Sequence, residues 1–243
     1  MKVLIISDIH SNYTALEAVL AEARASYEAV WFLGDLVGYG PDPNECVEEI
    51  RGLDNLLCLM GNHDAAVLGL IETSAFNPEA RMVVNWTRDV LSPANRDFLA
   101  AQSAKVTVEG ITLAHASPRY PIWEYLLDTY TADANFDYFD TPICLVGHTH
   151  LPVIYHHANG EHSTAAYIPE PNTQIDLPVR VIANPGSVGQ PRDRDPRAAY
   201  AIFDTDTYAW DFHRVSYEID AVQARMEKFH LPDRHIRRLA GGW

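Results

Sequence analysis

Asp8 and His10 stand two residues apart in Ser7-Asp8-Ile9-His10-Ser11-Asn12, just after the apolar run Val3-Leu4-Ile5-Ile6. Four further blocks have the same character: Gly34-Asp35, Gly61-Asn62-His63-Asp64, Leu113-Ala114-His115-Ala116 and Gly147-His148-Thr149-His150. Each follows a strand-like apolar run and puts Asp, Asn or His where the strand would end. Side chains i and i+2 of an extended segment point the same way, so Asp8 with His10, and His148 with His150, can each approach a common point. On a helix such pairs would diverge. Carboxylate, imidazole and amide oxygen together suit borderline divalent cations such as manganese, iron, zinc, cobalt or nickel. No cysteine stands in these blocks, which removes the thiolate-rich structural sites. Taken singly, each residue is as well explained by capping or turn chemistry. In series, the blocks point to a two-metal hydrolytic centre.

The elements that must position these blocks read as follows. Residues 2–6 form a continuous apolar strand, and Asn12 to about Ala25 a helix with Leu16, Val19 and Leu20 facing inward. Val30 to Leu33 is a second strand, Pro41-Asp42-Pro43 a turn, and Asn44 the cap of a helix carrying Cys46, Val47 and Ile50. Leu56 to Met60 is a third strand. Apolar strands alternating with helices predict a parallel sheet covered on both faces, where ligands collect beyond the carboxyl ends of the strands. Residues 78–91 and 93–101 read as helices begun by Asn77-Pro78 and Ser92-Pro93. The strands expected after them are 105–108, 111–114, 143–146, 153–156, 179–183, 200–203 and 209–214, which suggests a second sheet packed on the first. The chain from about Asp220 reads as helical. No repeat or linker divides it, so residues 1–243 are expected to form one domain.

The chain has 243 residues, 47% of them hydrophobic and 21% charged, the balance of an ordinary globular protein. No apolar stretch approaches the roughly 18 residues a membrane span needs, and no signal peptide is visible. Cys46, Cys58 and Cys144 are odd in number and form no CxxC pattern, as expected of incidental thiols in the cytoplasm. A net charge of −15 argues against a sequence-independent grip on nucleic acid but leaves a small phosphorylated substrate open.

In order, the blocks read D-x-H, G-D, G-N-H-D, a lone H and G-H-x-H, and this series resembles the calcineurin-like metallophosphoesterase superfamily, in particular its small prokaryotic phosphodiesterase-type members. The resemblance implies an α/β fold with a two-sheet β-sandwich core flanked by helices, in αββα layers. It implies two divalent cations, one on Asp8, His10, Asp35 and His150 and the other on Asp35, Asn62, His115 and His148. It also implies hydrolysis of a phosphomonoester or phosphodiester by a metal-bridging hydroxide, with His63 as general acid and Asp64 orienting it. The block Asn184-Pro185-Gly186-Ser187-Val188-Gly189-Gln190-Pro191-Arg192 resembles a loop of small prokaryotic members, whose glycines would let backbone approach a ligand.

Candidate substrate contacts are Asn12, Arg119 and Arg192; the competing readings are a helix N-cap for Asn12 and solvated arginines for the others. The aromatic segment 119–139 could form a lid over a base or aryl group, or simply cover a core. His156, His157 and His162 flank Asn159-Gly160, an expected hairpin tip, and a third metal site there is the weakest reading. Serine/threonine protein phosphatases and diadenosine tetraphosphate hydrolases of the superfamily read G-D-x-x-D-R-G, whereas Gly34-Asp35-Leu36-Val37-Gly38-Tyr39-Gly40 lacks that Asp-Arg-Gly. The leading expectation is a cytoplasmic phosphoesterase acting on a small phosphorylated molecule such as a nucleotide. A protein phosphatase and a catalytically silent metal-binding scaffold are the alternatives, and the oligomeric state is open.

Overall fold

In a computed structural model, which describes residues 1–157 and 164–243, the first strand explains its own unbroken apolar run. Along β1 (Lys2–Ile6) the side chains alternate between two cores: Val3 and Ile5 enter one, Leu4 and Ile6 the other. A strand buried on both faces needs apolar residues at every position. The same alternation holds in β2 (Ala29–Phe32), where Trp31 and Phe32 face opposite ways.

Between and after these strands lie α1 (Tyr13–Glu22), α2 (Pro43–Arg51), β3 (Leu56–Cys58), α3 (Asn62–Leu68), α4 (Pro78–Val90) and α5 (Pro93–Ala100). The next elements are β4 (Lys105–Val108), β5 (Ile111–Ala114), α6 (Thr129–Asp133), β6 (Ile143–Leu145), β7 (Pro152–His157), β8 (Thr164–Tyr167), β9 (Thr173–Asp176) and β10 (Val181–Pro185). The chain continues through β11 (Ala198–Asp204), β12 (Ala209–Val215), α7 (Ile219–Lys228) and α8 (Asp233–Gly241). The helix starts follow local chemistry. Asn77 and Ser92 accept hydrogen bonds from the third residue onward, each with Pro at the first helical position. At α2 the cap is Asp42 with Pro43 first inside, not the expected Asn44, whose side chain instead reaches Val90 and Ser92.

Two six-stranded sheets result, ordered β3-β2-β1-β11-β12-β9 and β4-β5-β6-β10-β7-β8. Both are mixed, so the parallel first sheet is corrected: β1 pairs with β2 in parallel but with β11 antiparallel. The β-rich second half supplies the whole second sheet, as expected, but not all of it goes there. Its β9, β11 and β12 complete the first sheet. Val3, Ile5, Trp31, Phe203 and Trp210 of that sheet meet Leu113, Ile143, Leu145 and Ile154 of the other, filling the sandwich. α1 to α5 cover one outer face, residues 126–139 cover the other, and α7 and α8 pack on α4 through Met226, Leu231, Ile236, Leu239 and Val83. These are αββα layers. His162 and the Asn159-Gly160 tip lie outside the described residues; His157, on β7, packs on Phe136 and faces Asp133 at 3.7 Å. Among the described residues no helix is long and apolar enough to cross a membrane.

Candidate active site

Every metal-type block sits where a strand hands over to a loop: Asp8 and His10 after β1, Asp35 after β2, Asn62 at the start of α3 after β3, His115 after β5, and His148 and His150 after β6. Their side chains converge, but not because the loops are extended. Asp8, His10, Asp35, His148 and His150 all have left-handed backbones, with φ of 53°, 49°, 61°, 65° and 61°. Such conformations cost non-glycine residues roughly 1 kcal/mol or more each and persist only where surroundings over-determine them. Here the surroundings are backbone hydrogen bonds between loops: Asp8 N to Gly34 O, and His10 N to Asp35 O, both 3.0 Å. The 184–192 loop adds Ser187 Oγ and Gly189 N, both donating to the Asp8 carbonyl at 2.8 and 3.0 Å. A Cβ at Gly189 would strike the Ile9 carbonyl, so this glycine serves loop-to-loop packing and not the expected approach to a ligand.

All seven side chains are buried to within 2%. His10 Nδ1 faces the Val37 carbonyl at 3.1 Å, His150 Nδ1 the Gln190 carbonyl at 2.6 Å, and His115 Nδ1 the Leu33 carbonyl at 2.8 Å. A carbonyl can only accept, so each ring carries its proton on Nδ1 and, when neutral, turns an Nε2 lone pair inward. The His10 and His150 Nε2 atoms lie 3.1 Å apart, with Asp8 Oδ1 3.4 Å from the latter and Asp35 Oδ2 3.5 Å from the former. His115 Nε2 faces Asn62 Oδ1 at 3.2 Å and Asp35 Oδ2 at 3.5 Å. Asp8 Oδ1 and His148 Nε2 have no hydrogen-bond partner at all. Acceptors facing acceptors in a buried space are costly unless a cation lies between them, so this donor set fits divalent metal. Asp8, His10 and His150 form one group able to hold an ion, and Asp35, His115 and His148 another.

Electrostatics agree. Burial pushes the Asp8 carboxyl up to about 7 and Asp35 well above the usual carboxylate range; it drives the His10, His63, His148 and His150 imidazoles well below theirs. The approaches of His10 and His150 to Asp8 and Asp35 are therefore not ion pairs of the metal-free protein. A resident cation inverts this preference by stabilising the carboxylates.

A family model for the calcineurin-like phosphoesterase superfamily domain matches residues 1–208. The chain belongs to that superfamily. It is similar over its full length to a metallophosphoesterase of Sphaerobacter thermophilus, at 44% identity and a TM-score of 0.91, covering 100% of this chain and 99% of that one. An uncharacterized protein of Methanocaldococcus jannaschii is 38% identical over 237 residues, 95% of this chain and 94% of its own. A symmetrical bis(5′-nucleosyl)-tetraphosphatase of Proteus mirabilis is 31% identical over 103 residues, which make up 36% of this chain and 38% of that enzyme. The protein is a metal-dependent phosphoester hydrolase. The family match ends before α7 and α8.

In this phosphoesterase His63 opens α3 beside the acceptor cluster, its ring 4.8 Å from that of His10 and 4.4 Å from that of Tyr39. Asp64 does not orient it, which corrects the sequence expectation. The Asp64 carboxylate accepts from the backbone N–H groups of Gly61, Asp35, Leu36 and Val37 at 2.8, 3.0, 3.3 and 3.0 Å, tying the two loops together. His63 Nδ1 has no partner. It lies instead against Gly38, where an added Cβ would come within 2.5 Å of it and where φ is +96°.

The substrate residues separate. Asn12 is an N-cap: its Oδ1 accepts from Ala15 N and one Nδ2 hydrogen goes to the Gly189 carbonyl. Arg119 pairs with the Glu124 carboxylate and lies over the Tyr120 and Tyr138 rings. Arg192 does reach the site, 5.7 Å from the Tyr39 ring, and its charge lowers the His10, His63, His148 and His150 pKa values. The aromatic segment divides likewise. Tyr125 lies on His148 at 4.0 Å and Trp123 on Phe76, which meets the His63 edge; Phe136 and Phe139 are core. Sequence reasoning missed Tyr39, Gln190, His235 and Arg238. The one signal for the last two was a basic run, Arg234-His235-Ile236-Arg237-Arg238, in an acidic chain.

Proposed function

We propose that this chain is a dinuclear-metal-dependent phosphoesterase acting on a small phosphorylated substrate, a nucleotide being the best fit. The observation that carries this reading is Asp35. Its Oδ2 lies 3.5 Å from His10 Nε2 on one side and 3.5 Å from His115 Nε2 on the other, the position a bridging carboxylate needs. Asp8, His10, Asp35 and His150 would hold one cation, and Asp35, Asn62, His115 and His148 the second. Bound there, the two ions would acidify water and take up the charge that develops on the phosphoryl oxygens.

The chain's own residues do the rest. His63 gives a proton to the leaving oxygen. Burial alone leaves its imidazole neutral, and a phosphate dianion beside it would raise its pKa toward the range where it carries that proton. Tyr39 and Phe76 hold the His63 ring from two sides, at 4.4 and 4.9 Å. Tyr125, against His148, and Trp123, against Phe76, exclude water and offer faces on which a base can stack. The site is narrow, with His63 only 4% exposed, which favours a small molecule over a phosphoprotein. The similarity to a symmetrical bis(5′-nucleosyl)-tetraphosphatase supports a nucleotide, and three free cysteines suit a cytoplasmic setting.

A metal-by-substrate screen with Asp35→Asn as control tests the reading, together with His63→Ala. The His63→Ala protein should keep its metal by elemental analysis while losing about 10²–10⁴ in rate on substrates with poor leaving groups. Loss of metal and activity together would refute the acid role.

A further inference from the structure

Four partly buried arginines hold a carboxylate: Arg119 holds Glu124, Arg197 holds Asp195, Arg214 holds Asp193 and Arg225 holds Asp42. Arg192 and Arg238 do not. Among the described residues neither guanidinium has an Asp or Glu carboxylate in ion-pair range; both donate to Gln190 Oε1, at 3.0 and 3.1 Å, and Arg238 Nε donates in addition to the Trp243 main-chain oxygen at 2.6 Å. Two cations sharing one amide oxygen are held side by side, which is unfavourable unless an anion sits between them. Arg192 Nε is moreover buried without a partner. His235, one turn before Arg238 on α8, is 1% exposed, and neither of its ring nitrogens has a partner. Its ring lies 4.7 Å from Tyr39, whose other neighbours are His63 at 4.4 Å, His10 at 4.6 Å and the Arg192 guanidinium at 5.7 Å.

We propose that Arg192, Arg238 and His235 form a second anion subsite, across Tyr39 from the acceptor cluster, that holds the phosphoryl group next in line to the one cleaved. The substrate then carries at least two linked phosphates. This rests on the phosphoesterase reading of the acceptor cluster. The order of the groups supports a chain of phosphates over a single one. The charge of Arg192 acts on the cluster histidines and also on Tyr39 and His235, whereas that of Arg238 acts on Tyr39 and His235, one step further out. A monoester would place its only phosphate on the cations and leave the outer guanidinium with only the Trp243 main-chain and Gln190 amide oxygens. Arg238 and His235 lie on α8, beyond the segment that matches the superfamily domain, so α8 adds two of the three side chains to a position that Arg192 approaches from within that domain.

Calorimetric titration of the full-length protein with its divalent cations bound tests the subsite directly, with orthophosphate and pyrophosphate as ligands. The wild type should bind pyrophosphate about tenfold or more tightly than orthophosphate. Arg238→Gln should bring that ratio close to one, and Arg238→Lys should restore part of it. Arg237→Gln, on the exposed side of the same helix at 76% side-chain exposure, should keep the wild-type ratio, which separates a contact from general charge. Equal wild-type affinities, or an Arg238→Gln protein that weakens both ligands alike, would overturn the subsite. The two readings fail separately: a retained ratio in a protein that hydrolyses no phosphoester would refute the phosphoesterase reading alone, and hydrolysis with a ratio of one would refute the subsite alone.

Discussion

Replacing Asp64 by asparagine separates a scaffold role from a catalytic one. In the native protein Oδ2 accepts from Gly61, Asp35 and Leu36 N–H groups, and Oδ1 from that of Val37. Asparagine has one acceptor oxygen. Turned toward the three donors, it points its NH2 at Val37 N–H and leaves that buried donor unpaired, at about 1–3 kcal/mol; the three retained bonds each weaken by about 0.5–1 kcal/mol as a charged acceptor becomes neutral. The expected loss is thus about 2.5–6 kcal/mol, centred near 4. For a chain of this length each kcal/mol moves Tm by about 2–4 °C, so thermal unfolding followed by circular dichroism should drop by roughly 5–24 °C. Metal affinity should fall too, because Asp35 and Asn62 lie on the two loops that Asp64 joins. The refuting result is an Asp64→Asn protein with wild-type Tm and metal content whose activity falls chiefly on substrates with poor leaving groups. That pattern would mean the carboxylate works through His63 after all.

Three other outcomes are expected. Gly38→Ala adds a Cβ within 2.5 Å of His63 Nδ1 at a φ of +96°, so it should cost about 1–3 kcal/mol and at least tenfold in turnover, while elemental analysis finds metal content unchanged; wild-type turnover would sink the packing argument. Adding manganese to metal-free protein at about 1,000 times its Kd should stabilise it by about 4 kcal/mol in calorimetry, and Asp35→Asn should abolish the shift; an unshifted wild type would mean that the facing acceptors are not a cation site. Burial lowers the His235 pKa to about 3, so between there and the ordinary 6.5 the unfolded chain holds a proton that the folded chain lacks. Stability is therefore lost as pH falls through that window, by up to about 1.4 kcal/mol per unit from this residue, and urea unfolding of metal-free His235→Gln should show a correspondingly shallower acid decline than wild type.

The strand ends that carry Asp8, Asp35, Asn62, His115 and His148 were legible because a doubly buried strand leaves an unbroken apolar run, and the residue that breaks it is visible. Their convergence was also legible, but the reason was misread. Alternation along an extended chain was invoked where left-handed turns at Asp8, His10, His148 and His150 do the aiming, and such turns leave no pattern in non-glycine residues. The mixed sheets were hidden for a related reason. β11 has the same apolar character whichever neighbour it pairs with, so its place beside β1 is decided by topology and not composition. His235 and Arg238 sit on an amphipathic helix whose charged face looks solvated until the packing of α8 turns part of it inward. Asp64 reads as a catalytic partner in any string of letters, and only the four N–H groups around it reveal a clasp.

The insertion of β11 beside β1 also sets when the site can exist. Leu4 pairs with Ile202, and the Asp8 carbonyl waits for Ser187 and Gly189. At ordinary translation speeds of 5–20 residues per second, about 10–40 s separate the synthesis of those partners. During that interval the nascent amino-terminal half emerges from the ribosome with its histidines and aspartates unassembled, so tight ion uptake becomes a late, post-translational event that reports completed folding.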